Sequence, residues 1–293
     1  MTSYQARVVL EGRGFLEAPH WHDGRLWISD LHRHEVILVD PGAADGPAAS
    51  VRVAATLDDQ PSGLGFLPDG SAIVVSLLNR RVMKIPASAG SADRAADAEL
   101  TVHADLSGLT VGGTNDMIVA PSGNAYVGSF GYDVFARAPK ALANLVLVTP
   151  DGSARVVADE LAFPNGMAFT SGGSLLVAES EACRISEFDV APDGSLSGRR
   201  VYAELPGRPD GVAIDAEDGL WVSFPREGRF DRLRPGGEVS DTIAIRPGWR
   251  AVSCGFGDDD LRSLYLATAK VVEPTSEAAI EVARVDVAAP AAR

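Results

Sequence analysis

Six polar residues recur at equivalent positions of a repeated sequence pattern, and together they could bind a metal ion. Each opens a short apolar segment about eight positions before a turn rich in Gly and Asp. The six residues are Glu17, Ser62, Asn115, Asn165, Asp210 and Ser253. They offer two carboxylates, two amides and two hydroxyls, which are all oxygen ligands. Oxygen ligands suit hard cations, so the pattern predicts one divalent cation, with Ca²⁺ favoured over Zn²⁺, Mg²⁺ or Mn²⁺.

The direct ligands are predicted to be Glu17, Asn165 and Asp210, because the two carboxylates would neutralise a divalent charge. Asn115 is predicted to lie nearest the open side and to orient a substrate. Asp210 is also predicted to be the catalytic base that takes a proton from an attacking water molecule. Asp116 follows Asn115 directly, and strand alternation is expected to turn its side chain away from the axis.

Simpler interpretations compete with this one. Pro-Asn-Gly and Pro-Asp-Gly often mark only a turn, but six polar residues in register argue against that interpretation. Four histidines near the start of the sequence suggest a zinc site: His20, His22, His32 and His34. Neither a cysteine nor a fourth ligand in a suitable position accompanies them, which argues against zinc. Cys254 is expected to be a packed small residue rather than a nucleophile.

The elements that must position these residues are short strands in a sixfold repeat. Turn glycines separate pairs of apolar segments, which is a strong hairpin signal, at Gly24, Gly70, Gly123, Gly173 and Gly219. A degraded sixth turn lies at 258–260, so the period is roughly 41 to 53 residues. Each unit contains up to four short segments rich in Val, Ile and Leu. This pattern predicts an all-β fold, a six-bladed β-propeller with four antiparallel strands per blade, as a single domain over residues 1–293.

The propeller predicts how the polar residues meet. The first strand of each blade lines the central channel, so equivalent residues are expected to lie at the same height and to converge at one mouth. The sixth unit lacks one strand, and the alternating residues 5–11 are predicted to supply it. A ring closed by this N-terminal strand would leave no open edge.

Composition limits the partners. The formal net charge of -14, from 40 acidic and 26 basic residues, argues against nucleic acid and anionic membranes. Two cysteines, the lack of a signal-peptide pattern and the lack of a long apolar run predict a cytoplasmic protein without a membrane span. A small-molecule substrate and a monomer or small homo-oligomer are expected.

Several segments resemble the SMP-30/gluconolactonase/LRE-like family. They are Glu-Ala-Pro-His-Trp at 17–21, Asn-Asp at 115–116, Pro-Asn-Gly at 164–166, Pro-Asp-Gly-Val at 209–212 and Ser-Cys-Gly-Phe-Gly at 253–257. The resemblance covers nearly the whole chain. It implies a six-bladed propeller with one divalent metal at Glu17, Asn165 and Asp210, and lactone hydrolysis as the commonest activity. The residue that matches Asn115 contacts substrate in that family, and sometimes the metal.

Two positions depart from the family pattern. Gly113 stands where sugar-lactone members often have Arg, and Ala18 stands where glycine is common. Without the cation at 113, the pocket wall is expected to be smaller and more neutral, which weakens the case for a sugar-acid lactone. Aromatic candidates for the wall are Trp21, Phe130, Tyr132, Phe224 and Trp249. Of these only Tyr132 and Trp249 are predicted to bind substrate, together with His20 and Asn115.

The resulting hypothesis is a metal-dependent hydrolase, a lactonase that opens a small lactone ring by attack of metal-activated water. Three alternatives stay open. The same site could hydrolyse other esters or phosphotriesters, or it could serve a metal-dependent lyase or isomerase. The chain could also be a non-catalytic ligand-binding propeller with structural calcium.

Overall fold

The structure is a computed structural model that describes residues 1–42, 49–90, 99–272 and 275–290. Its strands form six sheets, which are the blades of a propeller, and each is built on four antiparallel strands. The predicted fold class is therefore confirmed. Two 3₁₀ turns, at Leu31–Arg33 and Ala87–Gly90, are the helical elements of the described residues, and neither could span a membrane.

The strands are numbered β1 to β25 in chain order. The first two are β1 (Thr2–Tyr4) and β2 (Ala6–Arg13). Blade 1 contains β3 (Leu16–His22), β4 (Arg25–Asp30), β5 (Glu35–Asp40) and β6 (Ser50–Thr56). Blade 2 contains β7 (Pro61–Phe66), β8 (Ala72–Ser76), β9 (Arg81–Ile85) and β10 (Thr101–Asp105). Blade 3 contains β11 (Thr114–Val119), β12 (Ala125–Ser129), β13 (Ala143–Val148) and β14 (Ala154–Leu161).

The second half of the ring repeats the arrangement. Blade 4 contains β15 (Pro164–Phe169), β16 (Leu175–Glu179), β17 (Arg184–Val190) and β18 (Leu196–Glu204). Blade 5 contains β19 (Val212–Ile214), β20 (Leu220–Phe224), β21 (Arg229–Leu233) and β22 (Val239–Ala244). Blade 6 contains β23 (Arg250–Gly257), β24 (Ser263–Val272) and β25 (Thr275–Arg284).

The innermost strands form the closed ring that the repeat predicts. Each first strand contacts the first strands of the neighbouring blades, in the order β3, β7, β11, β15, β19, β23 and back to β3. Tight hairpins make each blade. In blade 1 the loop between His22 and Arg25 is Asp23-Gly24, and both loop residues have positive φ, at 49° and 73°. Two such residues suit a tight hairpin turn.

The N-terminal residues close the ring. Strand β2 pairs antiparallel with β25 and completes blade 6, as predicted for residues 5–11, although the strand runs on to Arg13. Strand β1 was not predicted, and it adds a parallel fifth strand to the outer edge of blade 5. This segment therefore links blades 5 and 6 and covers an edge on each.

Apolar side chains fill the spaces between adjacent blades. Leu26 and Ile28 of blade 1 pack with Tyr265 and Ile280 of blade 6, and all four side chains are almost fully buried. Equivalent clusters of Val, Leu, Ile and Ala lie at the other blade interfaces. The blades are therefore held as a rigid ring around the channel.

Candidate metal and substrate site

Five of the six predicted ring residues line one cavity of about 360 Å³, at the end of the channel where the inner strands begin; they are Glu17, Ser62, Asn115, Asn165 and Asp210. The sixth, Ser253, lines a second cavity of about 690 Å³ toward the other ends of these strands. The structure thus brings the predicted cation ligands and Asn115 together, and it leaves Ser253 apart.

Irregular strand pairing changes the directions of side chains on the inner strands. In β3, β7, β11, β15 and β23 the register with the next strand shifts near the ring position. In β11 the shift falls between Thr114 and Met117 and therefore spans Asn115 and Asp116. A bulge breaks strict alternation, so consecutive side chains need not point to opposite faces. Asp116 lines the second cavity rather than the first, but its charge still raises the pKa of both Glu17 and Asp210, so it lies near the proposed ligands.

Close contact between neighbouring inner strands fixes the site around Asp210. A Cβ atom on Gly166 would lie 2.6 Å from the backbone nitrogen of Val212, and one on Gly211 would lie 2.6 Å from Ser253 Cα. Only glycine allows the backbones to approach this far. The glycines of the Asn-Gly and Asp-Gly pairs therefore bring the inner strands of blades 4, 5 and 6 into close contact, and Asn165 and Asp210 line one cavity.

Hydrogen bonds orient both amides. Asn115 Nδ2 donates to the carbonyl oxygen of Pro164 at 3.0 Å. Asn165 Nδ2 donates to Ser180 Oγ at 3.2 Å, and Ser180 Oγ donates to the carbonyl oxygen of Pro209 at 2.7 Å. The Pro164 carbonyl oxygen and Ser180 Oγ can only accept a hydrogen bond here, so the amide atom that faces each of them must be Nδ2. The Oδ1 atoms of Asn115 and Asn165 are then left to bind a cation.

The two carboxylates destabilise each other's charge. Burial, and then the charges of Asp210 and Asp116, raise the pKa of Glu17 well above its ordinary value. Burial and the charge of Asp116 raise the pKa of Asp210 to about 7, although a hydrogen bond from Asn165 acts in the opposite direction. Burial also raises the pKa of Asp116 to about 6. A cation bound beside these carboxylates would favour their charged forms and so lower their pKa values.

The ligand chemistry fits a hard divalent cation. Two carboxylates and two oriented amide oxygens face one cavity, and such ligands suit Ca²⁺. Within the described ranges no three His, Cys, Asp or Glu side chains gather into a ligand group, so the amides are needed to complete the set. That requirement disfavours zinc, which prefers nitrogen and sulfur.

The other predicted substrate residues lie elsewhere. His20 lines the second cavity, where burial lowers its pKa and its Nδ1 lies 3.2 Å from the carbonyl oxygen of Ala18. Trp249 packs between blades 5 and 6 under the guanidinium of Arg246, which is 3.8 Å from the ring centroid. Tyr132 lies behind Phe163 and donates to Glu181 at 3.4 Å. None of the three is among the described residues that line the first cavity, so we do not place them at the site.

An apolar wall surrounds the polar floor of the first cavity, and most of it was missed. The apolar wall consists of Phe15, Leu31, Leu77, Phe130, Phe135 and Phe163. The rings of Phe130 and Phe163 stack at 4.8 Å between centroids. A repeated signal was available in the sequence, because Leu31, Leu77 and Phe130 directly follow the second strands of blades 1, 2 and 3.

Comparison with known proteins agrees with the fold. The family model described as "SMP-30/Gluconolactonase/LRE-like region" matches residues 15–270. This chain belongs to that family.

Two of the proteins that this chain resembles are named as lactonases. The chain is 27% identical to a pentonolactonase of Haloferax volcanii over 291 residues, which is 93% of this chain and 91% of the relative. It is 29% identical to a 6-deoxy-6-sulfogluconolactonase of Pseudomonas putida, but that match spans only 43% of this chain and 45% of the relative. The fold is also that of a calcium-binding protein, regucalcin, from Agrobacterium tumefaciens, with a TM-score of 0.75, 19% identity and 99% of each chain covered.

The family departure at Gly113 has a structural counterpart. A Cβ atom there would lie 2.9 Å from Leu77 Cδ2 and 3.0 Å from the ring of Phe130. The glycine therefore leaves room for two members of the apolar wall. Ala18, the second departure, has a positive φ of 52° and so holds a conformation that glycine adopts more easily.

Proposed function

We propose that this protein is a metal-dependent lactonase. The observation that carries the proposal is the convergence of Glu17, Asp210, Asn165 and Asn115 on one cavity in a member of this family. The name of the pentonolactonase, whose match covers most of both chains, supports ring-opening hydrolysis.

Glu17, Asn165 and Asp210 would hold the cation, and Asn115 would complete the set or contact substrate. Bound there, a divalent cation supplies Lewis-acid polarisation of the lactone carbonyl. The amides hold fixed positions because their nitrogens are bonded to Pro164 and Ser180. Such preorganisation keeps the substrate carbonyl near the charged floor without reorganisation during the reaction.

The chain's own contribution to the chemistry is proton transfer. Asp210 takes a proton from a water molecule as the water oxygen bonds to the carbonyl carbon. The ring carbon–oxygen bond then breaks, and the ring oxygen leaves as a hydroxyl after receiving a proton. The product is an open hydroxycarboxylate, so the atoms of one lactone and one water molecule are conserved.

The test is lactone turnover by the purified protein before and after treatment with a chelator, with Ca²⁺, Mg²⁺, Mn²⁺ or Zn²⁺ then restored singly. We expect chelation to abolish turnover and one cation to restore it. The Asp210→Asn variant should lose 10²-fold or more in kcat. Asp69→Asn, at an exposed turn where Asp69 binds Lys84, is the matched control and should keep full activity. Full turnover after metal removal would contradict the proposal.

A non-catalytic propeller with structural calcium is the second candidate, because the ring residue Asn115 of blade 3 also donates a hydrogen bond to Pro164 of blade 4. It predicts that chelation lowers the melting temperature and that no lactone is hydrolysed. The lactonase proposal expects turnover to be lost while the melting temperature changes little, because the blade interfaces are independently packed.

A further inference from the structure

The wall of the first cavity is apolar where the floor is charged. Leu31, Leu77 and Phe130 form a buried cluster over the channel mouth, separate from the cores between blades, and Phe15 and Phe163 pack against it. Phe135 continues the apolar wall outward, with its ring centroid 6.5 Å from that of Phe130. Its side chain stays 60% exposed, so it presents a flat apolar face to whatever enters the cavity.

Two polar residues of the same wall, Ser276 and His32, are already bonded to the protein, and the amide of Gln60 also lines the cavity. Ser276 Oγ donates to the carbonyl oxygen of Gly14 at 2.8 Å, and His32 Nδ1 lies 2.6 Å from Ser276 Oγ. Since the single hydroxyl proton of Ser276 goes to Gly14, His32 is the donor to Ser276. The Ser276 hydroxyl proton and the His32 Nδ1 proton are therefore not free to be donated to substrate hydroxyls.

Cations are also absent from the wall. Among the described residues that line the cavity there is no Lys or Arg. The cations Lys140 and Arg208 both pair with Glu181, and neither lines the cavity. An added carboxylate or sulfonate on the substrate would therefore find no partner charge at the wall.

The apolar wall requires a glycine at position 113. Any side chain there would displace Leu77 and Phe130, so a cation at 113 and the present apolar wall exclude each other. Phe130 is further fixed by its backbone nitrogen, which donates to the carbonyl oxygen of Gly113 at 2.8 Å.

We infer that the substrate is a lactone that carries a flat or alkyl apolar substituent, rather than a polyhydroxylated sugar lactone. This inference rests on the proposed lactonase function. The polar floor would receive the lactone ring, and the apolar wall would receive the substituent. Burial of apolar surface supplies binding energy for that substituent, whereas hydroxyls placed against the wall would lose water without new hydrogen bonds.

The test compares kcat/KM for γ-phenyl-γ-butyrolactone, unsubstituted γ-butyrolactone and a pentono-1,4-lactone. We expect the phenyl compound to exceed the pentonolactone by about tenfold or more. Phe135→Ser should lower kcat/KM for the phenyl compound about tenfold more than kcat/KM for γ-butyrolactone. Leu142→Ser is the control, because Leu142 is similarly exposed but does not line the cavity. An equal or higher kcat/KM for the pentonolactone would overturn the inference and leave the lactonase proposal intact.

If no lactone is hydrolysed, the lactonase proposal fails and binding decides the inference alone. Titration calorimetry would then compare 4-hydroxy-4-phenylbutanoate with a pentonate, in the wild type and in Phe135→Ser. Tighter binding of the phenyl compound that is lost in Phe135→Ser would support the apolar class. Equal binding of the two acids would overturn it.

Discussion

Ser180 holds the amide of Asn165 in one orientation, through the 3.2 Å bond from Asn165 Nδ2 to Ser180 Oγ. Ser180 is itself anchored to the carbonyl oxygen of Pro209, next to Asp210. One hydroxyl of blade 4 therefore positions a proposed ligand of its own blade and the backbone beside a ligand of blade 5. This makes Ser180 a positioning residue for the cation site.

The Ser180→Ala variant should bind the cation 10–100-fold more weakly, because the amide of Asn165 loses its anchor. Stability should fall by only about 1 kcal/mol, the usual contribution of one hydrogen bond. Competition with a chromophoric chelator measures the affinity, and urea unfolding of the metal-free protein measures the stability.

The control for this variant is Ser29→Ala. Ser29 is also buried and donates across a blade interface, to the carbonyl oxygen of Ser62 at 2.7 Å, but it holds no proposed ligand amide. It should lose similar stability and keep the cation affinity. Equal losses of affinity in the two variants would contradict a specific role for Ser180.

Acid stability should depend on Glu179, whose side chain is fully buried. Burial alone would raise its pKa, but hydrogen bonds from Arg184, the Ala162 nitrogen, Ser186 and Arg199 outweigh this and hold the pKa at about 2. The folded pKa lies below the unfolded value, so the stabilisation is present above about pH 5 and is lost as the pH falls toward 2.

Glu179→Gln should therefore destabilise the protein at pH 7 by about 2 kcal/mol and flatten the loss of stability between about pH 5 and 2. The cost is below that of a fully buried pair, because Arg184 and Arg199 keep 29% and 28% of their side-chain surface exposed. Urea unfolding at several pH values measures both effects. Glu238→Gln, at an exposed pair with Arg234, should change neither. An unchanged pH profile in Glu179→Gln would refute the assignment.

Much of the fold could be predicted because it follows from local repetition. Each turn marks a hairpin, and a similar distance from each ring residue to its turn glycine places Glu17, Asn115, Asn165 and Asp210 at one height without any knowledge of long-range contacts. Strand β1 was missed because three residues carry too little pattern to identify a strand.

The site was less predictable where it departs from regular strands. Alternation alone could not predict the direction of the Asp116 side chain, because the bulge that spans this residue is not encoded in the spacing of polar residues. Part of the apolar wall escaped prediction because Phe135 lies in the loop between β12 and β13, while Phe15 and Phe163 directly precede inner strands of different blades. Phe130 and Phe163 are 33 residues apart in the sequence, and only the closed ring stacks them.

Gly113 is predicted to be a structural requirement of the apolar wall. Gly113→Ala should cost about 1–3 kcal/mol, because the added methyl group forces Leu77 and Phe130 from their packed positions. Gly108→Ala is the matched control, since its Cβ would meet nothing within 4 Å and its φ is not positive. Thermal unfolding should show a loss only in Gly113→Ala. Equal stability of the two variants would show that Leu77 and Phe130 can move to accept the methyl group without a cost in stability.

Ring closure should depend on β2. Deletion of residues 1–13 removes the strand that pairs with β25, together with Val9 and Leu10, which pack on the core between blades 1 and 6. An exposed edge and a loss of several kcal/mol should lower the melting temperature by about 10 °C or more and promote association between chains. Scanning calorimetry and light scattering measure these effects.

Deletion of residues 1–4 is the corresponding control. It removes β1 from the outer edge of blade 5 but leaves β2 and the closed ring in place. Its melting temperature should fall by less than half as much, and the chain should scatter light like the full-length protein. If both deletions have the same effect, the stability comes from the cover on blade 5 and not from closure of blade 6.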